Sequence, residues 1–339
     1  MKTIHKVILV FSLVWVICTS GWANAEAYAP KLGYPINSHS RLIVPTCALD
    51  QEKQLYWFAV LVRHRFSIPL IYPEEQTRVY CYDKKVNKIE LELTSNQRIH
   101  TMVPSDKGMI FLREHYFFLD DEICNYDAHS KKVTKFRGPK TVGEILAVNE
   151  DLIYYQGSLA YDDTSIYAYN IKTKNIKMIC NAAKTAYADG QKIYVTSKAQ
   201  PGEIYIYDIE TGDLIGFYTL ITNAEILAIA DGKAITTDGA IFFLDYNQPI
   251  SSSIKLEGGK IDAGWIDEDH LVIFADGVLE SYIISTKGIE QIFSLELDEG
   301  IRSINMLYNE ILLFNKNEVT IYIISADGKS KEAIILPIE

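Results

Sequence analysis

Motifs that announce chemistry are missing from this chain. No GxSxG segment occurs, which excludes the nucleophile elbow of the α/β-hydrolases. Cysteine is scarce. Of five, Cys18 lies in the N-terminal leader, and Cys47, Cys81, Cys124 and Cys180 stand far apart with no close cysteine or histidine companion. That spacing excludes the usual sequence form of a zinc site. The later histidines (His39, His64, His100, His115, His129 and His270) show no metal-ligand spacing. Asp267 and Asp269 sit on a tight turn and lack the oxygen-ligand spacing of a calcium loop. No metal and no cofactor is therefore expected. Proline-, glycine- or serine-rich linkers and low-complexity runs are also absent, which leaves one large domain. Lys and Arg number 33 against 44 Asp and Glu, with no basic stripe interleaved with aromatics. Nucleic acid is thereby excluded as a partner.

What is present begins with a leader. Lys2 and Lys6 precede the apolar run Val7–Cys18, and Ala23-Asn24-Ala25 has the small-x-small form that a signal peptidase cuts. Residues 1–25 read as a signal peptide. Cys18 follows Ile17 where a lipoprotein signal needs a small residue, so no lipid anchor is expected. An uncleaved anchor is the alternative, although the run is short for a span. No second apolar run follows. The mature chain is expected to be exported, periplasmic or extracellular, free of the membrane and monomeric.

Glu203–Tyr218, EIYIYDIETGDLIGFY, organises the rest. Ile204–Asp208 is β-branched and aromatic, as a packed strand should be. Asp208 can bond its own backbone two residues on, Gly212 permits positive φ, and Leu214–Leu220 returns as a second strand. The segment recurs with decay as VYCYD, ICNYD, IYAYN, IYIYD, IFFLD, SYIIS and TIYIIS. The closing residues are Asp83, Asp127, Asn170, Asp208, Asp245, Ser285 and Ser325, at steps of 44, 43, 38, 37, 40 and 40. Each copy follows another strand pair with its own turn, such as AYADGQKIYVTS or AIADGKAITTDG. A period near forty, built from strands, predicts an all-β seven-bladed β-propeller with four-stranded antiparallel blades. A sandwich or solenoid with accidental similarity is the alternative. The lead spans 26–40 and the propeller 41–339.

Tyrosine outnumbers phenylalanine, 22 to 13, which suits blades whose outer faces stay partly wet. An exported chain permits a disulfide. Cys81 and Cys124, on corresponding strands of successive units, are the first pair to consider, with four free thiols as the alternative. The first unit begins on its inner strand and the last ends on its outer one. Such a ring closes by packing alone, unless Tyr28–Ile36 adds a strand.

Charge is lopsided. Residues 26–140 hold 17 Lys and Arg against 14 Asp and Glu, and residues 141–339 hold 14 against 30. At the start of each inner strand stands a charge: Arg41, Arg98, Glu144, Lys184, Glu225, Lys260 and Arg302. These should ring one mouth of the central channel, a concave place on a rigid scaffold. Arg41, Arg98 and Arg302 would come from consecutive blades and suit a carboxylate, sulfate or phosphate. His100, two residues after Arg98 on the inner strand, is placed to point into the same channel, with a purely structural histidine as the plainer reading. The long connection 63–77, with Arg63 and Arg65, is a candidate binding loop, and Gln156–Ser165, holding Tyr161, is the next longest. Solvated strand-end charges and a tolerated insertion are the plainer readings of both features.

IYIYDIETG (204–212) and IYAYNIKTK (166–174) resemble the repeat of secreted bacterial β-propeller repeat proteins, the quinoprotein-like and YVTN-like groups. There a strand pair ending in Tyr-x-Tyr-Asp-x-x-Thr-Gly recurs once per blade. The tryptophan that closes each quinoprotein-type repeat is missing: Trp57 and Trp265 stand elsewhere. The resemblance thus implies the fold and no catalytic residue. Two functions follow. One is a non-catalytic exported propeller that binds a protein, glycan or cell-envelope partner through its loop face. The other is a lyase or hydrolase acting on an anionic saccharide or small anion, with Arg41, Arg98, Arg302 and His100 at the channel mouth.

Overall fold

The turn residue of the repeat acts as its chemistry predicts. Asp208 Oδ1 accepts the backbone N–H of Glu210 at 2.9 Å and of Thr211 at 2.8 Å, and Gly212 takes φ of +69°. Asp83, Asp127 and Asn170 do the same, accepting from Lys85 (2.9 Å), Ser130 (2.8 Å) and Thr173 (2.8 Å). Ser325 Oγ accepts from Ser330 N at 3.0 Å. An acceptor at the end of the third strand that bonds the backbone of the following turn fixes the hairpin, so this position repeats while its surroundings drift.

The structure, a computed structural model, describes residues 34–35, 42–63, 75–114, 121–136, 142–149, 151–160, 163–181, 183–188, 191–200, 202–244, 254–256, 260–267, 269–285 and 288–338. Every regular element among them is a β-strand. Seven blades of four antiparallel strands run 42–95, 99–135, 142–180, 183–219, 226–255, 263–296 and 301–335. The first strands of successive blades touch one another from blade 1 to blade 6, that of blade 7 touches that of blade 1, and Ala263, Ile301 and Ile304 share the apolar cluster that joins blades 6 and 7. First strands therefore line the axis and fourth strands form the circumference. The chain is a seven-bladed β-propeller.

A blade has two faces and can cover neither by itself. Its second strand, Gly108–Arg113 in blade 2 for instance, is buried on both sides. Seven apolar clusters supply the cover, one for each seam between blades. Trp57, Val79, Phe111 and Cys124 join blades 1 and 2, and Ile204, Tyr218, Ile229 and Phe242 join blades 4 and 5. Phe58, Tyr80, Phe314 and Ile321 join blades 1 and 7.

The tyrosines belong mainly to these seams rather than to wet outer faces. Tyr56, Tyr80, Tyr126, Tyr154 and Tyr194 are essentially buried. Several send the hydroxyl across to the next blade: Tyr56 to Glu310 (2.5 Å), Tyr126 to Glu92 (2.6 Å) and Tyr187 to the carbonyl of Ile226 (2.9 Å). A tyrosine fills the seam with its ring and satisfies the polar end at the margin. The four cysteines are free thiols, so the Cys81–Cys124 bridge does not form. Both side chains contribute to the apolar seam between blades 1 and 2 instead.

The ring is pinned at its junction. Tyr34–Pro35 pairs antiparallel with the inner strand of blade 7, Ile301–Leu307, placing Tyr34 opposite Ile304. Blade 7 thus gains a fifth strand from the N-terminal lead, and Pro35 sits on a sheet edge, where it breaks no ladder. On the outer side Lys84 of blade 1 reaches Glu310 (3.2 Å) and Glu332 (3.7 Å) of blade 7, with Tyr56 on Glu310 and Tyr82 on Glu332. Tyr56→Phe should cost about 1.5 kcal/mol, because the lost hydroxyl bonds a carboxylate. Lys84→Ala should cost about 1 kcal/mol or less, because the pair is partly exposed, and its effect should shrink in high salt. Urea unfolding midpoints measure both, and unchanged midpoints would show that the junction rests on apolar contact alone.

Candidate functional site

Up-and-down blades place two kinds of connection on one rim of the ring: blade to blade, and second strand to third. The other two turns of each blade lie on the opposite rim. The first rim holds the charges that begin the inner strands. Arg98 immediately precedes the inner strand of blade 2, Ile99–Ser105, and its carbonyl accepts from Glu114 N at 2.9 Å. That contact draws the end of the second strand alongside, and Glu114 Oε2 lies 2.7 Å from His100 Nε2. Burial pushes the Glu114 carboxyl up, but the hydrogen bond with His100 and the charges of His100 and Arg98 reverse this and hold it below its ordinary range. Arg98 keeps a buried Nε with no hydrogen-bond partner. Arg98, His100 and Glu114 form one compact polar group on blade 2.

Arg302, Lys184 and Glu225 of this rim are also committed locally. Arg302 turns back on its own incoming turn, with Nη1 donating to the carbonyls of Ile301 (3.0 Å) and Glu299. Lys184 of blade 4 pairs with Glu225, which leads into blade 5, at 3.2 Å, both side chains being exposed. Lys260 is exposed ahead of blade 6. Arg302 belongs to blade 7 and Arg98 to blade 2, so the whole of blade 1 stands between them. Arg41, Arg65 and Tyr161 lie outside the described residues, and Arg63 is placed only by its backbone, which ends a strand and pairs with Glu75. The connection expected over 63–77 therefore narrows to 64–74, itself outside the described residues. The one expected over Gln156–Ser165 is largely strand, because Gly157 pairs with Ser165, Ser158 with Thr164 and Ala160 with Asp163. Ladder pairing there overrides the loop-forming tendency of Gly, Ser and Asp.

Three of the thiols are held protonated at neutral pH. Burial pushes Cys47 far up, Cys81 up to about 12 and Cys124 up to about 11. Among the described residues no three His, Cys, Asp or Glu side chains are grouped to hold a metal.

Sequence reasoning missed a cavity on the opposite rim. About 510 Å³ lies between blades 1 and 2, walled by Leu55, Trp57, Gly108 and Ala128, with Asp50, Lys53, Asp106, Lys107, Asp127 and His129 around it. Lys53 Nζ is held by Asp50 at 2.7 Å and by the carbonyl of Asp106 at 3.2 Å. Burial raises the Asp50 carboxyl, but its bonds to Lys53 outweigh this and lower it. Trp57 is 2% exposed and its Nε1 has no hydrogen-bond partner. The sequence signals were the turn residues Asp50, Asp106 and Asp127, which reveal turns but not that turns of neighbouring blades converge.

No protein-family model and no curated protein matches the chain. Solved structures do. The β-propeller domain of the trilobed protease from Pyrococcus furiosus, with its open velcro topology, is similar at TM-score 0.58 and 11% identity, covering 87% of this chain and 98% of that one. A chain of the mitotic checkpoint complex gives TM-score 0.54 and 12% identity, over 89% and 95%. Sqt1 from Saccharomyces cerevisiae gives 0.53 and 8%, over 91% and 89%. At such identities the likeness is one of fold.

Because the Glu114 carboxyl is held low, the stability it contributes is present above the ordinary glutamate range and is lost as pH falls through its depressed value. Thermal unfolding followed from neutral pH downward should show that acid loss reduced in Glu114→Gln. Superimposable pH profiles for the two proteins would exclude the Arg98–His100–Glu114 group as a stabilising unit.

Proposed function

We propose that this chain is an exported, non-catalytic β-propeller that binds a protein, glycan or cell-envelope partner through the rim carrying its interblade connections. The observation that carries the reading is the state of that rim's charges. His100 is on Glu114, Lys184 on Glu225 and Arg302 on backbone carbonyls. Such a surface offers spread, mixed polarity to a broad partner, whereas turnover of an anion needs several cations converging on one point. The raised thiols of Cys47, Cys81 and Cys124 supply no thiolate nucleophile, which supports the non-catalytic reading. The leader supports export, and a propeller similar in fold comes from the mitotic checkpoint complex, an assembly of proteins.

The test is a binding screen against glycan arrays and envelope proteins, run with the mature chain and with a variant whose residues 64–74 are replaced by a short Gly-Ser linker. Capture of the best binder should fall about tenfold or more, as when part of an interface is removed. Undiminished capture would take that connection out of the site. Turnover of an anionic saccharide that disappears in the Arg98→Ala/His100→Ala double variant would overturn the non-catalytic reading itself.

A further inference from the structure

Each blade ends in an outer strand with one unpaired edge, and a row of free N–H and C=O groups invites another strand unless charge or distortion blunts it. Six of the seven outer strands carry exposed charge. Glu90 lies in Lys88–Ser95, Lys132 in Lys132–Lys135 and Lys177 in Ile176–Cys180. Lys255 lies in Ile254–Lys255, Glu290 in Gly288–Glu296 and Lys331 in Lys331–Ile335. The outer strand of blade 4, Leu214–Thr219, has none, and the chain stays uncharged until Glu225. It is also apolar where it meets water: Leu214 and Phe217 are each 54% exposed, Ile215 48% and Ile221 65%. A bulge at Ile215 bends its beginning, which leaves Gly216–Leu220 as the regular part of the edge.

The direction of its backbone groups follows from one bond. Leu220 N donates to the carbonyl of Gly202 at 2.8 Å, so position 220 faces the third strand. Alternation along an antiparallel ladder then turns the N–H and C=O of Phe217 and Thr219 outward. No strand lies beyond them among the described residues.

We propose that this edge is where two copies of the chain associate, by antiparallel two-fold pairing centred on Tyr218. Phe217 of each copy then exchanges backbone hydrogen bonds with Thr219 of the other, and two four-stranded blades become one continuous sheet. The occupant is a second copy because of charge. A two-fold pairing sets a short strand against itself, strips water from any charge on it and tends to return that charge beside its own copy. Among the described outer strands, Leu214–Thr219 is the one free of that penalty. The same axis places its flanking charges harmlessly, with position 213 opposite 223 and position 225 opposite 211, Asn and Thr respectively.

Sedimentation velocity of the mature chain over a wide concentration range reads the association, and hydrogen exchange reads its place. The mass should rise toward a dimer, and exchange at Phe217 and Thr219 should slow as it does. Phe217→Lys should raise the dissociation constant about tenfold or more. Leu91→Lys, at a position 50% exposed on the already charged outer strand of blade 1, should leave it unchanged. Should Phe217→Lys fail to fold, Ile221→Lys tests the same edge from beyond the strand. A chain that stays monomeric throughout, a dimer that survives the blade 4 lysine, or one lost to Leu91→Lys would each overturn the proposal. None of these readouts depends on the partner proposed for the connection rim.

Discussion

The constraint on which this molecule depends is that a four-stranded blade cannot cover its own two faces. Gly108–Arg113 is buried along nearly its whole length although its sheet is only four strands wide, so its cover must come from the blades on either side. Stability is therefore a property of seams, and a ring has as many seams as blades only if it closes. Six seams join blades adjacent in sequence. The seventh joins Phe58 and Tyr80 to Phe314 and Ile321 across most of the chain, and brings together what the chain keeps farthest apart.

That junction has reinforcement suited to its burden. Tyr34–Pro35 adds a strand on the axial side, while Lys84, Glu310 and Glu332 add charge on the outer side. The tyrosines connect the two scales. A ring such as that of Tyr56 or Tyr126 fills the seam with apolar surface, and its hydroxyl finds a carboxylate where the seam meets water. Phenylalanine would fill the same space and leave the neighbouring carboxylate without that donor. The excess of tyrosine is thus a feature of interblade contact.

Period, strand content and turn chemistry were legible in the sequence because they are local. Asp83, Asp127, Asn170 and Asp208 do in the structure what an Asx residue before a return strand does anywhere. Closure was legible only as an open alternative, a strand somewhere in Tyr28–Ile36, since a two-residue strand has no periodicity and its partner Ile304 is remote in sequence. The same distance hid the cavity beside Trp57, whose walls come from two blades. At the connection rim, inner-strand starts were correctly located at Arg98, Lys184 and Arg302, but their partners Glu114, Glu225 and the carbonyl of Ile301 follow only from three dimensions. Gln156–Ser165 misled because Gly, Ser and Asp suggest a loop where ladder pairing makes strand.

A repeat protein also reveals itself where its repeats disagree. Seams and turns hold every blade to one pattern, so a departure from the pattern is not dictated by the fold. Blade 2 alone sets arginine, histidine and glutamate together at the start of its inner strand. Blade 1 alone has eleven residues, 64–74, between the described ends of its second and third strands. Blade 4 alone leaves charge off its outer strand. The first two departures fall on the connection rim and the third on the circumference, at right angles to it. A ring can thus meet a partner through its rim while its edge meets another ring, and neither contact obstructs the other.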